Sequence, residues 1–123
     1  LSIGLGAAIA KMTIEYGTIA PHERAAVLDL LAAWHGDREF FARYFRCDPS
    51  FRDDLCFVAR EHGQIVATLQ VFRKRVRVRQ AILEVGGIAN VFTAEAARGR
   101  GIATALLERA LAAMARHGFD ASL

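Results

Sequence analysis

Val91-Phe92-Thr93-Ala94-Glu95-Ala96-Ala97-Arg98-Gly99-Arg100-Gly101-Ile102-Ala103-Thr104 is the stretch on which the fold turns. It leaves the end of an apolar run, crosses a loop with two glycines and enters a segment of helix formers. Gly99 and Gly101 flank Arg100, so the backbone there is bare and a ligand can come close to it. A helix that starts near Ile102 leaves its first N–H groups without acceptors, pointing back at the loop. Those donors, the positive end of the helix dipole and the side chains of Arg98 and Arg100 together make a site for a phosphate or diphosphate. A P-loop is excluded, because no Gly-Lys-Ser/Thr follows. So is a dinucleotide fingerprint: Thr104 stands where a third glycine belongs, the motif is not in a first βα unit, and too little chain remains for an acidic residue ~20 positions on.

Upstream of the stretch, Gln80 to Thr93 reads as one long apolar strand, with Gly86-Gly87 marking a bulge or a close approach in its middle. Leu55 to Arg60 and Gln64 to about Val76 read as two strands joined by a hairpin at Glu61-His62-Gly63. The second continues into Arg73-Lys74-Arg75-Val76-Arg77-Val78-Arg79, and period-two alternation places Arg73, Arg75, Arg77 and Arg79 on one face. We read this row as a solvated edge or hairpin tip that discourages edge pairing. The alternative is a strip for an anionic partner, although no aromatic residue interleaves the arginines for base stacking. Downstream, the segment from Ile102 is rich in Ala and Leu and needs little tertiary help to be helical. Arg116 and His117 suit its negative end, and Gly118 supplies a left-handed exit.

Toward the N-terminus, Thr13 to Gly17 alternates as a first strand. Pro21 opens a helix, where its missing N–H costs nothing. Val27, Leu30, Leu31 and Trp34 recur at i, i+3, i+4 and i+7, which predicts a core face. Asp37 is placed to cap a second, short helix carrying Phe40, Phe41, Tyr44 and Phe45, which Asp48-Pro49-Ser50 ends. We read these aromatics as packing, with an acceptor-pocket wall as the alternative. The order β-α-α-β-β-β-α-β predicts an α/β (α+β) fold with a mixed, mostly antiparallel sheet flanked by helices.

The 123 residues are enough for one domain with a real core, and at 54% hydrophobic and 24% charged they exclude a disordered chain. The formal charge of +3 is almost all arginine, since Lys11 and Lys74 are the only lysines. It suits an anionic ligand and is too small to argue for nucleic acid. Cys47 and Cys56 form no CxxC and have no His at ligand spacing, which predicts two structural thiols in a reduced, cytoplasmic protein and no metal. Leu1 to Ala10 is apolar but far too short to span a membrane. Ala8-Ile9-Ala10 fits the tail of a signal peptide, yet Met12-Thr-Ile-Glu-Tyr reads like a natural start, so residues 1–11 are expected to lie upstream of a single domain over 12–123. Phe119-Asp-Ala-Ser-Leu123 reads as a strand stopped in mid-course, which predicts that the C-terminal part of the domain is missing.

Arg98-x-x-Gly101-x-Ala103, between a strand and a helix, resembles the acetyl-CoA signature (Q/R-x-x-G-x-G/A) of the GCN5-related N-acetyltransferases. The resemblance extends to the antiparallel strands before it and to Gly86-Gly87-Ile88-Ala89-Asn90-Val91-Phe92-Thr93 as the central strand. It covers about Thr13 to Leu123 and departs at Ala94-Glu95, where the family often has a proline. It implies the acyl-CoA N-acyltransferase fold, acetyl-CoA as cofactor, and transfer of its acetyl group to an amine. It implies a diphosphate on the N–H groups of Arg98, Gly99, Arg100, Gly101, Ile102 and Ala103, with Thr104 at the rim. Pantetheine amides would pair with the backbone around Phe92, at Val91 and Thr93, and the Val91 N–H would face the thioester oxygen. Glu84, the only carboxylate in the central strand, is the candidate base, with a salt bridge to the neighbouring arginines as its alternative role. His35, His62 and His117 are expected to be structural or solvated. The general acid in many members is a tyrosine in the following helix, which would lie beyond Leu123. The expected acceptor is a small-molecule amine, aminoglycoside- or polyamine-like, with a homodimer as a candidate assembly and no membrane or nucleic-acid partner. The competing reading is a non-catalytic module that senses CoA or binds an anion through Arg73 to Arg79.

Overall fold

The computed structural model describes residues 13–123; the expectations for residues 1–11 and for Met12 lie outside them. Five strands lie side by side in sequence order: β1 (Glu15–Thr18), β2 (Cys56–Glu61), β3 (Gln64–Val78), β4 (Ala81–Thr93) and β5 (Ala121–Ser122). The first four are antiparallel to their neighbours, and β5 adds parallel to β4. Helices α1 (Arg24–His35) and α2 (Arg38–Cys47) pack on one face, and α3 (Ile102–Arg116) packs on the other. The sheet is thus covered on both sides. This is why Cys56-Phe57-Val58-Ala59 is a continuous buried run rather than an alternating one. Phe57, Ala59, Ala67, Leu69 and Val71 meet Ile102, Leu106, Ala110, Ala113 and Met114 of α3. Cys56 and Val58 meet Val27, Leu28, Leu31, Phe41 and Phe45 from α1 and α2. Burying each such Leu, Val or Phe is worth roughly 1.5–3 kcal/mol, so the two helical layers hold the sheet by apolar area.

The element order and the mixed sheet match expectation, and the differences are local. β1 starts at Glu15, and Leu55 belongs to a short 3-10 turn (Asp53–Leu55) that precedes β2. Pro21 opens a 3-10 turn (Pro21–Glu23) that runs into α1. There Glu23 accepts the Ala20 N–H at 3.0 Å and holds Arg60 of β2 at 2.6 and 2.9 Å. Asp37 caps α2 as expected, accepting the Phe40 N–H at 3.0 Å. Phe41 and Phe45 are buried and Phe40 is exposed, so the packing role holds for part of the aromatic group.

Trp34 departs from the predicted core face: 48% of it remains exposed. It sits in the last turn of α1, where one ring face stacks on Phe92 at 5.5 Å and 13° and the edge of the pair is closed by His35 at 4.8 Å. The helical spacing places the indole toward the sheet correctly, but the ring covers a rim instead of filling a core.

The long β3–β4 hairpin resolves the two open readings of the central strand. Gly86 marks a close approach: a Cβ there would collide with the Met114 sulfur and crowd Val71 and Phe119. The bulge lies four residues on. Thr68 pairs with Phe92 and Gln70 with Ala89, so Leu69 alone opposes Asn90 and Val91, and Asn90 adopts φ 53°. At the far end β3 runs to Val78, and Arg79 (φ 57°) with Gln80 forms the two-residue turn. Arg79 therefore leaves the row of arginines, because a turn residue does not follow strand alternation.

Candidate functional site

Val91, Phe92 and Thr93 at the end of β4 and Arg98, Gly99, Gly101, Ile102, Ala103 and Thr104 around the start of α3 line one open hollow, with Ala97 as its floor. Its volume of about 340 Å³ is at the small end of the range for small-molecule sites, about 300–1,000 Å³, and its open shape suits an extended ligand. Gly99 (φ 77°) and Gly101 (φ 74°) both take the left-handed conformation, with empty space where a side chain would start. That conformation costs an L-residue about 1–2 kcal/mol, and the turn it makes aims the start of α3 at the hollow. Ala105 donates to the Gly101 carbonyl at 3.0 Å, the first helical bond. The N–H groups of Ile102, Ala103 and Thr104 are thereby left without helical acceptors, and no side chain caps the helix. Three donors, a helix dipole and no Cβ in the way form a cradle with the chemistry of an anion site.

The two arginines of the loop part company. Arg98 bonds the Thr93 carbonyl at 3.0 Å and lies over the Phe92 ring at 5.4 Å, which keeps its guanidinium beside the hollow. Arg100 does not line the hollow: it forms a bidentate pair with Glu61, at 2.7 and 3.1 Å, in the β2–β3 hairpin. This corrects the expectation that both side chains charge the site. Arg100 ties the loop to the hairpin, and the Glu61 carboxylate is held below its usual range by that guanidinium.

Glu84 lies elsewhere. It is seven residues before Val91, roughly 20 Å along a strand, and lines a separate hollow with Ser50, Arg52, Arg73 and Arg75. Arg75 holds it at 2.8 Å and Arg73 at 3.4 Å, the salt-bridge role named as its alternative. Arg73 also reaches the His117 carbonyl at 3.2 Å and lies 4.2 Å over the Phe119 ring. Two members of the expected anion strip are therefore engaged within the fold, and Arg79 is in the turn.

Cys56 is fully buried, and burial pushes its thiol up to about 12, so it is protonated and inert. Among the described residues no cluster of His, Cys, Asp or Glu could hold a metal, and no helix is long and apolar enough to cross a membrane.

Sequence reasoning placed Trp34 on a core face and missed its stack on the Phe92 that lines the hollow, and it missed the pair formed by Asn90 and Gln70. Asn90 carried a signal: it is the one polar residue in the apolar run Gly86 to Val91, and asparagine is among the few residues that tolerate positive φ.

The family model of the acetyltransferase (GNAT) domain matches residues 15–123. No curated protein matches the sequence. Among solved structures, a predicted acetyltransferase with acetyl-CoA from Clostridium acetobutylicum aligns with TM-score 0.74 at 19% identity, over 90% of this chain and 79% of that one. The glucosamine-6-phosphate N-acetyltransferase of Arabidopsis thaliana aligns with TM-score 0.69 at 21% identity, over 90% and 80% of the two chains. An aminoglycoside acetyltransferase from an uncultured soil metagenomic sample gives TM-score 0.63 at 24% identity, over 90% and 78%. At such identities these likenesses establish the fold.

Proposed function

This chain belongs to the GNAT acetyltransferase family and is an acyltransferase, and we propose that it moves the acetyl group of acetyl-CoA to a primary amine of a small molecule, aminoglycoside- or polyamine-like. The observation that carries the proposal is the cradle at the start of α3, with left-handed Gly101 and three N–H donors beside Arg98. Unpaired N–H donors, the positive end of a helix dipole and a nearby guanidinium are the chemistry that a diphosphate needs.

The residues present divide the work by position. Ile102, Ala103 and Thr104 would hold the diphosphate by their N–H groups, with Arg98 adding charge. The exposed edge of β4 at Val91 and Thr93 would take the amides of the pantetheine arm as a further strand would. The Val91 N–H would then be placed to face the acyl oxygen, where a fixed donor would stabilise the negative charge that develops during attack. Acetyl-CoA supplies an already activated thioester, so the chain mainly binds and orients. Deprotonation of the amine is not assigned to Glu84, whose carboxylate is held by two arginines; water reaching the open hollow would serve the same purpose.

A thermal-shift titration with acetyl-CoA tests this. Ligand at 100 times its dissociation constant should stabilise the fold by about 2.7 kcal/mol. A folded chain that shows no saturable shift would refute the proposal and favour an anionic partner bound through Arg77 and its neighbours.

A further inference from the structure

The polar pair formed by buried Gln70 and half-buried Asn90 has no place in the chemistry above. Gln70 is 1% exposed. Its Oε1 accepts the Asn90 Nδ2–H at 2.6 Å, and its Nε2 has no partner among the described residues. A buried amide with one half unpaired is costly where an apolar side chain of the same size would fill the space. Its other half is aimed at the one residue of β4 with positive φ. Asn90 is the first residue of the bulge, and neither it nor Val91 has a register partner on β3. Asparagine tolerates φ 53° without being confined to it, so a side-chain bond that holds Asn90 there would keep the bulge from flattening into the ladder. Flattening would turn Val91, which is exposed and lines the hollow, by one pleat.

We propose that Gln70 is a positioning residue: its amide oxygen locks Asn90 left-handed, and the bulge so fixed presents the Val91 N–H to the hollow. The inference rests on the acetyl-CoA reading for its ligand but not for its geometry, and the test separates the two. Gln70→Met keeps the volume, removes the acceptor and removes the unpaired donor.

Three readouts decide. In the unliganded, isotopically labelled chain, the intraresidue HN–Hα cross-peak of Asn90, strong in the left-handed form, should weaken in Gln70→Met. In titrations followed by Trp34, the only tryptophan, Gln70→Met should bind acetyl-CoA about tenfold more weakly. It should bind 3′-phosphoadenosine 5′-diphosphate, which lacks the pantetheine arm, as the parent does. Adding Asn90→Gly, which takes positive φ at no cost, should restore acetyl-CoA affinity to within about threefold. A merely structural glutamine would not behave so: its loss would lower Tm and weaken both ligands together, and glycine would not rescue it. An unchanged Asn90 cross-peak, or full acetyl-CoA affinity in Gln70→Met, would overturn the inference. If the parent itself ignores acetyl-CoA, the ligand is wrong, and the cross-peak alone decides whether the lock exists.

Discussion

Gly101 offers the sharpest perturbation, because the fold provides a matched control at the other end of the same helix. Gly101 (φ 74°) precedes α3 and Gly118 (φ 77°) follows it, and a Cβ at either would meet nothing within 4 Å. Substituting alanine at each therefore imposes the same backbone penalty, about 1–2 kcal/mol, with no clash to confuse it. For a domain of this size that is a fall of roughly 5 °C in Tm for both variants. The two positions are separated by about 25 Å of helix, so only Gly101 touches the cradle. Its methyl group would stand where an anion must approach the N–H groups of Ile102 and Ala103. We expect acetyl-CoA affinity to fall at least tenfold in Gly101→Ala. At a concentration that stabilises the parent by about 2.7 kcal/mol, the variant would then gain only about 1.4 kcal/mol. Gly118→Ala should gain as much as the parent. The assay is differential scanning fluorimetry over an acetyl-CoA series, with Tm referred to each variant's own ligand-free value. Equal ligand gains in the two variants would refute the cradle, since strain without contact would then explain everything.

Other consequences are independent of that one. Glu23 is lowered from its ordinary 4.5 to about 2 by its bond to Arg60 and by the Ala20 N–H. A depressed folded-state value gives stability that is full above pH 4.5 and is lost as pH falls toward 2. The shift corresponds to at most about 3 kcal/mol, reduced by solvent at the fold's rim to about 1–2 kcal/mol. Urea melts of the parent and Glu23→Gln should differ by that amount at pH 7 and converge near pH 2; a gap that stays constant with pH would count against the pair. Gly86→Ala should cost about 1–3 kcal/mol by overpacking against Met114 and Val71, read as a lower urea midpoint, and Met114→Ala in the same chain should recover part of it. Arg98→Ala should weaken acetyl-CoA roughly tenfold by loss of a charge-assisted contact, while Arg100→Ala should weaken it less; the reverse order by titration would mean that Arg100 leaves Glu61 to reach the ligand.

The fold class was legible because it rests on periodicities that hold at short range. Val27, Leu30 and Leu31 mark the buried stripe of α1, and Leu55 to Arg60 marks a strand that hairpins into the next. His62-Gly63 makes the hairpin turn with both residues at positive φ. The cradle was legible for the same reason. A glycine, an unpaired helix start and an adjacent arginine are neighbours in sequence, so nothing distant is needed to bring them together.

What the tertiary structure decided is everything that depends on which distant partner a side chain meets. Arg98 and Arg100 stand two places apart in one loop, and local charge alone does not say which side chain faces the hollow. Arg100 is taken by Glu61 because the β2–β3 turn arrives beside it, and Arg98 is left at the hollow. Gly86 was rightly a mark in the central strand, but only the position of Met114 made it a close approach, and only the pairing of β3 with β4 placed the bulge at Asn90. Trp34 followed the helical stripe and still ended at a rim, because the stripe fixes direction and not depth. Local pattern determines which face a residue takes, since that follows from backbone geometry alone. Charge partners, bulge position and depth of burial follow from long-range packing, and in this chain they separate the side chains that line the site from those that only build it.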